Sequence, residues 1–190
     1  MKYKITVFSK EGVSDTMSVL KTIGDVFKCE FEVINKKFTK KKGLSNEELE
    51  LCKDSDAVMM DVEAPKKKED GLKSQLGVMA SYSETEYGAF FESVLTEDGF
   101  EGTKEEKKEL ASILSMAMML DYLKLNDAAK LVRQGLDSIV KTGGKIHNSN
   151  KKLSESISMY IKNRLSAKSL TSRQPNYGEV LFSFGGVMED

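Results

Sequence analysis

The spacing of apolar positions along the chain predicts an alternation of strands and helices. Lys2 to Phe8 alternates towards Ile5 and Val7 and is expected as a strand. A helix follows across Ser14 to Phe27, with Met17, Leu20, Ile23 and Phe27 on one face and Ser14 or Asp15 as its cap. Glu30 to Lys36 predicts a second strand, Asn46 to Cys52 a short helix and Ala57 to Val62 a third strand. This rhythm implies an α/β fold of three layers, a mostly parallel sheet covered by helices.

The second half is more varied. Pro65 to Asp70 is expected as a charged turn, Gly71 to Leu76 as a helical stub and Val78 to Tyr82 as a strand. A short bridge, Ser83 to Gly88, leads to another strand at Ala89 to Val94. Thr103 opens the longest helix, in which Leu110, Ile113, Leu114, Met116, Ala117, Met118, Met119 and Leu120 are apolar nearly all round, so its place is in the interior. Asn126 or Asp127 is expected to cap the next helix, which stops at Gly143 and Gly144, and a last helix spans about Lys152 to Leu165. The TGGK at the end of that region lacks the full spacing and preceding strand of a phosphate loop.

Several segments carry a family likeness. KYKITVFSKEGVSDTMSVLKTIGDVF, LSNEELELCKDSDAVMMDVEAPK and LKSQLGVMASYS resemble successive landmarks of the isocitrate and isopropylmalate dehydrogenases, metal- and NAD(P)-dependent oxidative decarboxylases. FESVLTEDGFEGTKEEKKELASILSMAMMLDYL is similar to a late segment of the same family, and LNDAAKLVRQGLDSIVKTGGKI and KLSESISMYIKNRL to its closing helices. The resemblance implies one α/β domain over residues 1–165, the family's larger domain, with 1–83 and 88–165 as its two halves and 166–190 as an additional tail.

The same resemblance implies lost chemistry. The family's Gly-rich first loop stands here as Lys10, Glu11, Gly12, Val13, Ser14, Asp15 and Thr16, without most of the glycines that let backbone approach a ligand. A later Gly-rich turn has become Asp61, Val62, Glu63, Ala64 and Pro65, which sets carboxylates where an anion would sit. Two substrate-gripping arginines fall at Lys73 and Ser83, neither able to offer a bidentate fork. The adenine-side His-Gly falls at Leu95 and Thr96, and a later Asn at Lys108. The smaller domain, which supplies the family's tyrosine, lysine and most metal-binding aspartates, has no counterpart between Ser83 and Gly88. The expectation is therefore no enzyme, no cofactor and no metal, because a site whose parts act as a unit does not survive in fragments.

Composition bounds the remaining classes. The chain has 190 residues, 39% hydrophobic and 31% charged, enough to bury a core. With 29 basic and 30 acidic side chains the net charge of −1 argues against nucleic acid, and no apolar run suits a bilayer or a secretory signal, which predicts a cytoplasmic protein with no membrane. The local exception, Lys36, Lys37, Lys40, Lys41 and Lys42, runs straight into Glu47, Glu48 and Glu50 and is read as a solvated loop. Cys29 and Cys52 have no metal-ligand spacing, and His147 is the only histidine.

The tail supplies a positive signal. Val180, Phe182 and Phe184 alternate with Leu181 and Ser183 and are too apolar to stay in water. Deleting a domain also uncovers surface that a soluble protein has to cover. Together these point to a pseudoenzyme working by protein binding, as an inhibitor or regulator of an unknown partner or by self-association, through Val180, Phe182, Phe184, Tyr82, Tyr87 and Phe90. The tail folding back over its own domain is the competing role. Other readings are residual binding of a nucleotide, organic acid or divalent cation by Glu11, Asp15, Asp61 and Glu63, and a regulatory subunit of a hetero-oligomeric dehydrogenase.

Overall fold

The fold is built on β1 (Lys2–Ser9), which runs through the interior with both faces covered, so Ile5 to Ser9 are all buried. The computed structural model describes residues 1–9, 16–38, 43–61, 72–73, 78–95, 103–141 and 152–171. The other strands are β2 (Glu30–Lys37), β3 (Ala57–Asp61), β4 (Leu72–Lys73), β5 (Val78–Thr85) and β6 (Gly88–Leu95). Among the described residues they form one six-stranded sheet in the order β2-β1-β3-β6-β5-β4. The first three pairings along it are parallel and the last two antiparallel.

Among the described residues five helices cover the sheet: α1 (Met17–Phe27), α2 (Asn46–Lys53), α3 (Lys104–Tyr122), α4 (Asn126–Lys141) and α5 (Leu153–Thr171). Alternation along each strand splits the interior into two cores. Ile5, Val7, Ala57, Met59, Ala89 and Phe91 face the side of α1, α3, α4 and α5, whereas Phe8, Val58, Met60 and Phe90 face Cys52 of α2. Helices therefore lie on both sides, as the strand–helix rhythm predicts. The steps from β1 to β2 and from β2 to β3 go in opposite directions, so crossovers of one hand place α1 and α2 on opposite faces.

Local chemistry explains the helix ends. Ser45 and Glu48 make a capping box at α2: the Glu48 amide donates to Ser45 Oγ and the Ser45 amide to Glu48 Oε2. Thr103 and Glu106 do the same for α3, which confirms Thr103 as its start. The interior character expected of α3 is also found, with Leu110, Ile113, Met116, Ala117, Met119 and Leu120 buried. Asn126 is the first residue of α4, not its cap, since the Ala129 amide closes the first turn on the Leu125 carbonyl. The Ser14 and Asp15 caps, the Pro65 to Asp70 turn and the Gly143–Gly144 stop lie outside the described residues.

Two further expectations change. In the stretch expected as a helical stub, Leu72 and Lys73 form strand β4, paired with Ala80 and Met79 of β5. The bridge expected between two strands is itself part of a hairpin: β5 runs on through Ser83 to Thr85, and only Glu86 and Tyr87 turn the chain into β6. Backbone pairing across the hairpin outweighs the polar side chains that made the bridge look like a loop.

Candidate functional site

In a sheet of this kind ligands gather at the carboxyl ends of strands where the connections reverse direction, here between β1 and β3. Ser9 and Asp61 are paired there, each the last residue of its strand. Ser9 Oγ is buried and has no hydrogen-bond partner among the described residues. On β6 nearby, buried Ser93 donates from Oγ to the Met60 carbonyl at 3.5 Å. Of the acids expected to cluster at this rim, Asp61 belongs to β3, while Glu11, Asp15 and Glu63 lie outside the described residues. Among the described residues no group of three His, Cys, Asp or Glu side chains could hold a metal ion.

The positions aligned with the family's arginines do not converge. Lys73 stands opposite Met79, and Ser83 opposite Phe90, four residues further along β5. At strand rise that is about 13 Å of separation. Leu95 ends β6, Lys108 is half-buried on α3, and Thr96 lies outside the described residues. Cys52 is fully buried; burial first, and then the Glu48 carboxylate, push its thiol up to about 11, so it is not a nucleophile. Burial raises the half-buried Cys29 thiol as well.

The aromatic residues named from the sequence separate onto different surfaces. Phe90 is buried beneath α2, and Tyr87 at the hairpin turn packs against the same core with Lys53 Nζ 5.2 Å from its ring centre. Tyr82 points to the opposite face, where it is 41% exposed. There it meets Phe91 at 5.1 Å and Tyr122 at 5.7 Å between ring centres, and Phe91 meets Tyr122 at 5.5 Å. Phe91 is the buried floor, and Tyr122, the last residue of α3, is 38% exposed. The Tyr82 hydroxyl donates to Glu84 Oε2 at 2.9 Å. Partial burial first, and then Glu84, hold the Tyr82 phenol above its ordinary value, so at neutral pH it is an uncharged donor. Val180, Phe182 and Phe184 lie outside the described residues.

Tyr122 was not among the positions singled out from the sequence. Its signal was an aromatic residue ending a helix otherwise apolar nearly all round, where the last turn reaches the edge of the core. Two tyrosines side by side over an apolar floor are the kind of anchors that dominate protein interfaces, since each offers apolar area and a hydroxyl. A separate depression of about 710 Å³, lined by Met1, Gly24, Asp25, Lys28, Cys29 and Glu30, lies where β2 begins, at the other end of the strands from Ser9 and Asp61.

Comparison with models of known protein families gave no match, and neither the curated proteins nor the solved structures contained a significant relative. No helix of the described residues is long and apolar enough to cross a membrane.

Proposed function

We propose that the chain is a non-catalytic derivative of the isocitrate and isopropylmalate dehydrogenase scaffold that acts by binding a protein, as a regulator or inhibitor of that partner. The observation that carries this reading is the β5–β6 hairpin. Where the family resemblance calls for a whole catalytic domain, Glu86 and Tyr87 alone turn the chain. Two residues hold no domain, and the surface beside the hairpin presents Tyr82 and Tyr122 to solvent instead. These rings are the contact favoured for a partner, because each offers a large apolar face together with a hydroxyl that can find a partner.

The test has two arms. The purified protein, given NAD or NADP with isocitrate or isopropylmalate and Mg²⁺, is expected to reduce no nucleotide. In native extract, chemical cross-linking followed by mass spectrometry is expected to place a partner within reach of Tyr82 and Tyr122, and the Tyr82→Ser/Tyr122→Ser variant to lose it while keeping its circular dichroism. Unaided turnover, or an unchanged cross-link in the variant, overturns the proposal.

One observation favours a second reading, residual binding of a small ligand at the carboxyl ends of β1 and β3. A buried hydroxyl with no partner is costly, and among the described residues Ser9 Oγ is one. Calorimetric titration with NAD, NADP, isocitrate and Mg²⁺ decides it: heat that disappears in Ser9→Ala supports the ligand site, and no heat with any of them removes it.

A further inference from the structure

Among the described residues the sheet ends in one long unpaired edge. Of its two outermost strands β4 has two residues and β2 has eight, and no described strand pairs with the far side of β2. The Glu30 amide donates to the Met1 carbonyl and the Phe38 amide to the Ser9 carbonyl, both at 2.9 Å. In a parallel ladder alternate residues serve the same neighbour, so Phe31, Val33, Asn35 and Lys37 turn their amides and carbonyls outward. Such an edge is a template for another strand.

The charges along β2 are divided by sign. Glu30 and Glu32 stand at its start and Lys36 and Lys37 at its end, all four exposed. Edge lysines commonly keep strands apart, and a second β2 laid parallel and in step would set glutamate against glutamate and lysine against lysine. Laid antiparallel, it sets each acidic end against a basic one. Lys2 reaches both Glu30 and Glu32, at 3.8 and 2.9 Å, whereas Lys36 and Lys37 have no ion-pair partner among the described residues. The basic end is therefore the half of the edge that lacks a counter-charge.

We propose that the outer edge of β2 pairs antiparallel with the same edge of a second copy of this chain, Ile34 lying opposite its own symmetry mate. A two-fold axis through the joined sheet has to bring outward-turned residues opposite one another. With Ile34 at the axis, Phe31 stands opposite Lys37 of the second copy and Val33 opposite Asn35, and each such pair exchanges backbone hydrogen bonds. Between them Glu32 stands opposite Lys36, and Lys36 opposite Glu32, on the face away from α1. These are the positions without backbone bonds, where opposed side chains come closest. Val33 at the axis would instead leave Glu32 facing Ile34, a poorer match. On the α1 side half-buried Phe31 and Val33 gain cover, Phe31 from the aliphatic stem of the facing lysine. β5, which carries Tyr82, lies toward the opposite edge of the sheet, so a copy paired at β2 leaves the tyrosine pair open and neither contact depends on the other.

Sedimentation equilibrium of the full chain at low salt tests the pairing. Between about 5 and 500 µM the mass is expected to rise from that of one chain towards that of two, because a strand-edge contact is small and binds weakly. Lys36→Glu and Glu32→Lys each set like charges opposite one another on both sides of the axis, and each is expected to weaken association about tenfold or more. The Glu32→Lys/Lys36→Glu chain opposes unlike charges again and is expected to associate within about threefold of the native chain. Lys2 keeps Glu30 as a partner throughout, and unchanged circular dichroism reports that the fold persists. A single-chain mass over the whole range overturns the proposal. So does association that the single reversals leave intact or that the double reversal fails to restore. Amide exchange read by NMR adds a last arm: protection at Phe31, Val33, Asn35 and Lys37 is expected to grow with protein concentration. Full protection at the lowest concentration means that the chain covers its own edge, and overturns the proposal as well.

Discussion

The Glu109 carboxylate, on the second turn of α3, serves as the cap of α5: Oε1 accepts the Ser154 amide at 2.8 Å, and Oε2 accepts the Leu153 amide at 3.2 Å. Residues 44 and 45 positions apart in sequence thereby tie one helix start to the flank of another. The pairing satisfies two of the amides a helix N-terminus leaves bare, and it places a negative charge at the positive end of the helix dipole.

Removing that carboxylate exposes its worth. Glu109→Ala is expected to lower stability by about 1–2 kcal/mol, since both amides lose their acceptor in a partly buried setting. Glu109→Gln keeps one acceptor and loses the charge, and should cost about half as much. The urea midpoint checks this, with the slope unchanged and hydrogen exchange quickening first at Leu153 and Ser154. Equal midpoints for wild type and Glu109→Ala would show that water caps α5 equally well.

Gly88 closes the hairpin with φ at 120°, a conformation that side-chain-bearing residues rarely adopt. A Cβ there would lie 3.3 Å from the Cys52 carbonyl oxygen of α2. Gly88→Ala is therefore expected to destabilise the protein by about 2 kcal/mol, through backbone strain together with displacement of the hairpin tip from α2. Thermal unfolding measures the loss. Docking of the hairpin turn on α2 supplies the structural readout: the Lys53–Tyr87 contact, seen as ring-current shifts on the lysine methylenes, should weaken in the variant.

Legibility from sequence followed the locality of the cause. β1, β2, β3 and the apolar α3 were readable because Ile5, Val7, Val58, Met59 and the run from Leu110 to Leu120 carry their burial in their own spacing. The parallel half of the sheet followed from the alternation of strands and helices. The antiparallel half did not. Ser83 and Glu84 are weak strand formers that extend β5 because Phe90 and Ala89 stand opposite, and Leu72–Lys73 is a strand because β5 is there to receive it. Nor does sequence show which face an aromatic takes: Tyr82 and Phe90 were grouped together, yet the hairpin register sends them to opposite sides. Tyr122 joins Tyr82 only through the docking of α3 on the sheet.

Two helices end in left-handed lysines. Lys28 follows α1 with φ at 57°, and Lys124 follows α3 with φ at 63°. Each is held by a bond that wraps the helix end: the Cys29 amide donates to the Gly24 carbonyl at 3.2 Å, and the Leu125 amide to the Leu120 carbonyl at 2.8 Å. Glycine takes this conformation without the Cβ penalty of about 1 kcal/mol. Lys28→Gly and Lys124→Gly are each expected to raise the melting temperature, by about 2 °C or more after the added freedom of the unfolded chain is subtracted. The two sites terminate different helices and share no bond, so the gains should add in the double variant. A fall in melting temperature for either would mean that its lysine side chain makes a contact outweighing the strain.

Cys52 gives the protein an alkaline limit. Its thiol is fully buried, and burial followed by the nearby Glu48 carboxylate raises it from an ordinary 9.0 to about 11. Because the folded value is the higher one, the folded chain keeps its proton longer than the unfolded chain does. Stability from this group is complete below pH 9 and is lost as the pH rises through 11, where the folded thiol must ionise inside the core. Cys29 also titrates above its ordinary value, so the contribution of Cys52 has to be read as a difference. Between pH 9 and 11 the stability of the wild-type chain is expected to fall more steeply than that of Cys52→Ala, although the variant starts lower at pH 7 for want of the sulfur's packing. Thiol labelling gives the independent check. At pH 8 the half-buried Cys29 should react first and Cys52 only on unfolding. Parallel stability profiles for the two chains, or labelling of Cys52 at the rate of a free thiol, would show that the α2 side of the sheet opens readily to water.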